Sequence, residues 1–314
     1  MNLLITGCCG HIGSYLVNNI HKIKKIKKTF IIDNFKSTQI NSLFKSKKKN
    51  NLEFHKLDLS MKNSLHKFDK VDYIIHLASM TNAEGSFDKK NEMYKNNIDC
   101  MNNVISFCKR KKAKLIHISS TSVYGKQASL VDENCEKKFL KPQSPYADIK
   151  LIEERLLQKV SKNIEYITYR FGTISGVSKG MRFHTAVNKF CLNASLNDDI
   201  TVYKTALNQY RPYLSLKDAF KVFKFTIEKD LFNNDIYNAL SENCTVNQIL
   251  QKIKKFKKKI KVKFVYSEIM NQLSYHVSNK KIISKGFEFS GDLEVGISET
   301  INILKNFNYE NRSV

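Results

Sequence analysis

The chain has 314 residues, with 53 Lys or Arg against 29 Asp or Glu, a formal charge of +24 and 42% apolar residues. That length holds one large α/β domain, or one and a half, around a sizeable core. No apolar run approaches the ~18 to 20 residues that span a bilayer, and Met1-Asn2-Leu3-Leu4-Ile5-Thr6-Gly7 carries neither a charged leader nor a cleavage site, so a soluble, cytoplasmic protein with no membrane partner is expected. The charge would ordinarily suggest nucleic acid. Yet only six of the basic residues are Arg, Asn and Ile are abundant too, and the Lys runs at 22–28 and 252–259 are interleaved with Ile and Phe at helical spacing. This joint bias has the look of drifting base composition and solvated helix faces, so no nucleic-acid partner is expected. Seven cysteines without a Cys-x-x-Cys pair suit a reducing compartment and give no metal-ligand spacing.

Residues 2–6 form an apolar run too short for a helix, and Gly7-Cys8-Cys9-Gly10-His11-Ile12-Gly13 follows at once, with Ile12, Leu16, Val17 and Ile20 recurring at helical spacing. Strand, glycine turn and helix in that order provide a tight turn, a close approach of backbone to a pyrophosphate, and helix N-terminal amides that receive phosphates. Steric fit in the turn accounts for Cys8 and Cys9. Thr29 to Ile32 is a second strand ending at Asp33, twenty residues after Gly13, where a carboxylate can accept from both ribose hydroxyls of an adenosine. A carboxylate there repels a 2′-phosphate, which favours NAD over NADP; Lys36 is the one residue nearby that argues otherwise. Leu52 to Leu57 is a third strand, ending at Asp58-Leu59, a candidate adenine contact. Val71 to His76 is a fourth, and the small residues of Leu77-Ala78-Ser79 let backbone approach a cofactor. His76, in an apolar run, reads as a packed histidine.

A helix from about Lys90 to Lys109, carrying Met93, Asn97, Met101, Val104 and Phe107, leads to the strand Leu115-Ile116-His117-Ile118 and on to Ser119-Ser120-Thr121-Ser122-Val123-Tyr124-Gly125. Strands and helices alternating at this rhythm imply a Rossmann-like, doubly wound parallel sheet of the α/β class. In Ser144-Pro145-Tyr146-Ala147-Asp148-Ile149-Lys150 a helix starts after a turn, and Tyr146 and Lys150, four apart, share one of its faces. A nearby ammonium favours ionisation of a phenol that alone titrates near pH ~10. With a strand-end serine opposite, the pair makes a proton-transfer site.

That helix continues through Leu157, and Ile164 to Arg170 is a further strand. Beyond Gly172 the alternation loosens into a loop at Gly176 to Gly180, a helix at Phe183 to Ala194, a strand at Thr201 to Tyr203, a strand from Tyr210 feeding a helix at Asp218 to Ile227, then helix (Thr245 to Lys258), strand (Val262 to Tyr266) and helix (Leu293 to Leu304). The expected organisation is a cofactor-binding domain of residues 1–171, to which 208–238 return, interleaved with a smaller substrate-binding part of 172–207 and 239–314.

The chain resembles, over nearly its whole length, the extended branch of the short-chain dehydrogenase/reductase superfamily, and within it the NAD-dependent epimerase/dehydratase family that acts on nucleotide sugars. The resemblance rests on Thr6 to Gly13, Asp33-Asn34-Phe35, His76 to Ser79, Ser119 to Gly125, Ser144 to Lys150, Arg170-Phe171-Gly172, Arg211-Pro212-Tyr213 with Asp218-Ala219, and the closing segments Tyr275 to Lys280 and Gly286 to Ile297. It implies Tyr146 as general base or acid, Lys150 as its pKa modulator and a ribose ligand, and Ser120, four before Tyr124, as the hydroxyl sharing the substrate proton. The cofactor set it implies is Gly7, Gly10, His11, Ile12, Gly13, Asp33, Asn34, Asp58, Leu59, Leu77, Ala78, Ser79, Asn97, Ser119, Tyr146, Lys150 and Phe171, with Phe171 bordering the nicotinamide of NAD. For the substrate it implies Ser120, Thr173 where the family often has Asn, Arg211 on the diphosphate, and Arg182 and Asn188 nearby. Cys100-Met101 departs from the family's Gly-Thr, and the loop Met80 to Phe87 matches no substrate subclass. The resemblance implies a homodimer through the helices holding Met93 to Phe107 and Tyr146 to Leu157, and both carry broad apolar stripes.

The reaction is read from two positions. The family's 4,6-dehydratases place Asp-Glu directly after the catalytic hydroxyl, whereas Thr121 and Ser122 stand here, neither able to donate or hold a proton near neutral pH. The expected activity is therefore a nucleotide-sugar epimerase, most simply at C4, with NAD unchanged over a cycle. A dehydratase or an NAD(P)-dependent keto-sugar reductase is the runner-up, and a cofactor-sensing regulator the non-enzymatic rival.

Overall fold

The computed structural model describes residues 1–36, 40–43, 51–82, 84–127, 130–266 and 275–305. In chain order its strands are β1 (Asn2–Thr6), β2 (Lys28–Asp33), β3 (Leu52–Lys56), β4 (Tyr73–His76), β5 (Lys114–Ser120), β6 (Leu130–Val131), β7 (Tyr166–Phe171), β8 (Thr173–Ser175), β9 (Asp199–Tyr203), β10 (Tyr210–Ser215), β11 (Ile236–Ala239), β12 (Glu242–Thr245), β13 (Lys261–Val265) and β14 (His276–Val277). The helices are α1 (His11–Asn19), α2 (Lys90–Lys111), α3 (Pro145–Lys159), α4 (Ala186–Leu196), α5 (Leu216–Lys229), α6 (Val246–Phe256), α7 (Lys280–Ile283) and α8 (Leu293–Leu304).

Seven strands form one parallel sheet in the order β11-β7-β5-β4-β1-β2-β3. Because side chains alternate along a strand, the apolar runs supply both faces. Leu3, Ile5, Ile31, Ile75 and Ile116 pack with Leu16, Val17, Phe220 and Phe223 of α1 and α5. Leu4, Ile32, Ile74 and Leu115 pack on the other face with Met101, Val104, Phe107 and Leu157 of α2 and α3. The winding reverses between β1 and β4, so Thr6 and His76 end neighbouring strands at the switch point, where doubly wound sheets take their ligands. A third cluster joins α4, α6 and α8, through Phe190, Ile249, Ile253 and Ile297, to Ile200 and Tyr213 of β9 and β10.

Six strands of the central sheet coincide with runs read from the sequence, but β11 does not. It has four residues, and its inward Asn238 looks unlike a strand core in sequence; the structure satisfies that amide with the Tyr124 hydroxyl at 2.9 Å and the Ser278 carbonyl at 3.0 Å. The helix expected at Phe183 begins at Ala186, and the strand expected from Tyr210 hands over to α5 at Leu216, where Ser215 caps the helix by accepting from the Asp218 amide. The apolar residues of α2 that prompted the dimer expectation, Met93, Met101, Val104 and Phe107, are each 2% exposed or less within the single chain. Among the described residues Tyr94 is the one large apolar side chain that α2 leaves exposed, so the stripe is consumed by the chain's own core.

Candidate active site

The glycine turn sits at the switch point. Gly7 has φ +67°, and a Cβ there would press on the backbone of Leu77 and Ala78, while a Cβ on Gly13 would run into the Gly7 carbonyl. The fold itself therefore demands these two glycines. Gly10 differs: a Cβ there would meet only the Gly7 oxygen, at an ordinary 3.4 Å, so the protein's own packing leaves room that a closely approaching ligand would need. Gly10 also precedes α1, whose first amides, at His11 and Ile12, lie at the helix start where phosphates are received. The Thr6 hydroxyl accepts from the amides of both Leu77 and Ala78 at 3.0 Å, tying the end of β1 to the start of the 77–79 segment, where the Ser79 hydroxyl donates to the Met80 carbonyl.

Asp33 ends β2, and its carboxylate accepts from the amides of Cys9 at 3.0 Å and Phe35 at 2.9 Å, so it is aimed along the glycine turn. Asn34 caps its own turn by accepting from the Lys36 amide. The Lys36 ammonium pairs with Asp58 at 2.9 Å. Although partial burial opposes charge on Asp58, Lys36 and Ser60 hold its carboxyl down to about 2. Leu59 follows, buried.

Three further members of the sequence's cofactor set make these contacts within the protein. Asn97, fully buried on α2, spends its amide on the backbone of Met80, accepting at 2.8 Å and donating at 3.1 Å, and so fixes the 77–80 segment. The Ser119 hydroxyl donates to Glu154 at 2.6 Å. The Phe171 ring packs in the core beside Tyr169 and Phe223, with centroids 6.1 and 5.8 Å away.

α3 begins with Ser144 accepting from the Ala147 amide and Pro145 in the first turn. This start sets Tyr146 in the first turn of α3 and Lys150 one turn further on. The Lys150 ammonium lies 5.9 Å from the Tyr146 ring centre and 2.8 Å from Glu153. Burial raises the Tyr146 phenol above its ordinary value and Lys150 pulls it back only in part. Burial works against the Lys150 charge, but Glu153 and Tyr146 outweigh it, so the ammonium is held more firmly than usual. Ser120 caps the turn Thr121–Tyr124, accepting from the Ser122 amide at 3.2 Å and the Ser122 hydroxyl at 2.8 Å. Thr121 is buried and donates to the Phe171 carbonyl at 3.3 Å.

Beyond β8, Arg182 donates to Thr81 at 2.9 Å and interacts electrostatically with both Asp33 and Tyr146. Asn188 is fully buried and donates to the Arg182 carbonyl at 2.9 Å; its Oδ1 has no hydrogen-bond partner among the described residues. Arg211, on β10, lies close enough to Tyr213 and Tyr275 to affect both phenols, and Thr173, on the neighbouring strand β8, pairs with Tyr213. The His11 ring meets the Gly176 carbonyl at 2.7 Å, and the Gly180 amide donates to Ser14 at 2.9 Å, so the 176–180 segment lies directly on the glycine turn. Within the loop Met80 to Phe87, residue 83 lies outside the described residues.

Sequence reading passed over Glu153 and Glu154, which in so basic a chain look solvated. They are 1% and 3% exposed. The signal was available: if Lys150 faces inward, the residues three and four further on share its face.

The family model described as NAD dependent epimerase/dehydratase matches residues 3–239. The chain belongs to the NAD dependent epimerase/dehydratase family. Among its family relatives, a dTDP-D-glucose 4,6-dehydratase of Dictyostelium discoideum is 30% identical over 255 residues, covering 75% of this chain and 57% of that protein. The chain spans about half the length of the first curated relatives it matches. Among solved structures, a UDP-glucuronic acid 4-epimerase from Bacillus cereus, complexed with NAD, superposes with a TM-score of 0.88 at 22% identity over 97% of this chain and 99% of that one. A UDP-N-acetylglucosamine 4-epimerase from Methanobrevibacter ruminantium M1 gives 0.84 at 25% identity, over 96% and 97%. NAD is the family's cofactor, and the room at Gly10, the α1 start and the Asp33 carboxylate fit it.

Proposed function

We propose that this family member is a nucleotide-sugar epimerase acting at C4. The observation that carries this reading is the state of the two residues after Ser120. The Thr121 hydroxyl is buried against the Phe171 carbonyl, and the Ser122 hydroxyl donates to Ser120 itself. Neither is a group that could add and remove the protons an elimination of water requires. Epimerisation asks only for a proton-transfer pair and a pocket in which the sugar can turn.

Tyr146 takes the proton from the sugar hydroxyl and returns it, Ser120 donates a hydrogen bond to the same oxygen, and Lys150 holds the phenolic oxygen's charge and a ribose hydroxyl. Gly7, Gly10, His11, Ile12, Gly13, Asp33 and the segments at 58–59 and 77–79 would hold NAD, which would supply hydride-transfer chemistry at the sugar carbon. Arg211 and Arg182 bring positive charge to the diphosphate. The unpartnered Oδ1 of buried Asn188 supports a substrate donor near it. In this reading residues 172–207 and 239–314 form the substrate-binding part. The homodimer through α2 and α3 rests on the resemblance alone, and a monomeric mass by light scattering would end it.

The dehydratase reading is favoured by the name of the Dictyostelium relative. Incubation with a panel of nucleotide sugars, read by mass spectrometry and NMR, separates the two. A product of unchanged mass with C4 inverted is expected; a product lighter by one water, or steady accumulation of NADH, overturns the epimerase.

A further inference from the structure

In parallel strands, residues in register point to one face, and Thr6, His76, His117 and Thr168 stand side by side on β1, β4, β5 and β7. They form a polar row, at most 4% exposed, across the sheet on the face that α2 and α3 cover. Thr6 Oγ1 lies 2.9 Å from His76 Nδ1, and His117 Nδ1 lies 3.2 Å from Thr168 Oγ1. The other nitrogen of His117 reaches Glu153 Oε2 at 2.9 Å, and the same oxygen accepts from the Lys150 ammonium at 2.8 Å. A carboxylate this buried is costly unless its partners are held in place. Here one partner is anchored in the sheet and the other is the lysine beside Tyr146.

We propose that Glu153, anchored by His117, is a positioning residue that fixes the Lys150 ammonium beside Tyr146 and, by offsetting its charge, keeps the proton on the Tyr146 phenol. The proposal rests on the reading of Tyr146 as the proton-transfer group, though its test does not. The groups facing Tyr146 are Lys150 and Glu153 from α3 and Arg182 from the segment before α4. Those facing the Lys150–Glu153 pair are Cys100 from α2, His76 from β4 and His117 from β5. Within this set Glu153 is the one anion. Lys150 and Arg182 both favour the phenolate, so the carboxylate decides how far their pull reaches. Without it the lysine's charge would act on the phenol undiminished, and nothing would hold the ammonium to the sheet side of α3. The consequence for chemistry is a tyrosine of higher proton affinity, whose phenolate is a stronger base towards a sugar hydroxyl and holds the proton it has taken more firmly.

The test is a titration of the ligand-free protein by phenolate ultraviolet absorbance. The curve of the Tyr146→Phe variant is subtracted from that of the wild type, and the same subtraction is made in a Glu153→Gln background. The Tyr146 midpoint is expected about one pH unit lower with Glu153→Gln, about tenfold in proton affinity, the size a unit charge two helical turns away exerts at an effective dielectric near 20. Glu153→Asp, which keeps the charge, should leave the midpoint close to that of the wild type. Should Glu153→Gln fail to fold, Glu153→Met, of similar volume and without an amide to satisfy, is read in the same way. An unmoved midpoint in a folded variant overturns the proposal and leaves Glu153 a structural counter-charge. Full turnover by Tyr146→Phe would instead remove the base assignment while leaving the titration result standing.

Discussion

The guanidinium of Arg170 forks onto the carboxylate of Glu154, with Nε 2.9 Å from Oε1 and Nη2 2.7 Å from Oε2, and both side chains are almost wholly buried. Ser119 donates to the same carboxylate, so α3, β5 and β7 are tied together directly behind the Tyr146 and Lys150 face. Such a pair adds little over a well-packed apolar replacement, but breaking it strands a buried charge. Glu154→Gln is therefore expected to lower unfolding free energy by about 3 to 5 kcal/mol in urea melts. The double change Glu154→Met with Arg170→Met should cost much less than the sum of its singles; additive losses would mean the pair is not coupled.

Asp33 is held by the Cys9 and Phe35 amides with its charge directed at the turn, and the nearby cation Lys36 is engaged by Asp58. Calorimetric titration should find NAD bound more tightly than NADP, and Asp33→Ser should narrow the gap. NADP binding as tight as NAD by the unaltered chain would contradict this.

Removing the Tyr146 hydroxyl takes away the group proposed to carry the sugar proton while keeping a ring that is half-buried against its neighbours. Tyr146→Phe should lose about 10²- to 10⁴-fold in kcat with NAD affinity retained. Turnover at the unaltered rate would place the chemistry elsewhere.

The central sheet was readable because strands buried on both faces are written as short apolar runs ended by glycine or a carboxylate, as at Ile5-Thr6-Gly7 and Ile32-Asp33. β11 escaped because a four-residue strand carrying Asn238 has no such run, and its place is set by Tyr124 and Ser278, far away in sequence. The site was legible at Tyr146 and Lys150, whose spacing fixes a shared face. Its electrostatics were not. That burial outweighs Lys150 at the phenol, and that Glu153 answers the lysine, depend on how deeply α3 sits on β5, which no local spacing encodes. Lys36 likewise looked available in sequence, and only the approach of Asp58 from the end of β3 shows where its charge goes.

Burial holds the His76 imidazole down to about 3, against an ordinary 6.5, in the polar row beside Thr6. A histidine kept neutral in the folded state gains its proton first in the unfolded chain. Unfolding is then favoured as pH falls below 6.5, and the loss continues until pH nears 3, where the folded ring would also protonate. Between pH 7 and pH 5 this one group should remove about 2 kcal/mol of stability. The depressed carboxyls of Asp58 and Glu153 act only at lower pH, because their ordinary values are 3.8 and 4.5. His11, held down to about 4 chiefly by burial, adds to the loss in the same window. Urea melts of the wild type and His76→Asn at pH 7 and pH 5 isolate the His76 share. The variant should be weaker at pH 7, where it loses the histidine's packing, yet lose about 2 kcal/mol less on acidification. An equal acid loss in both proteins would mean that His76 is not held neutral in the folded chain.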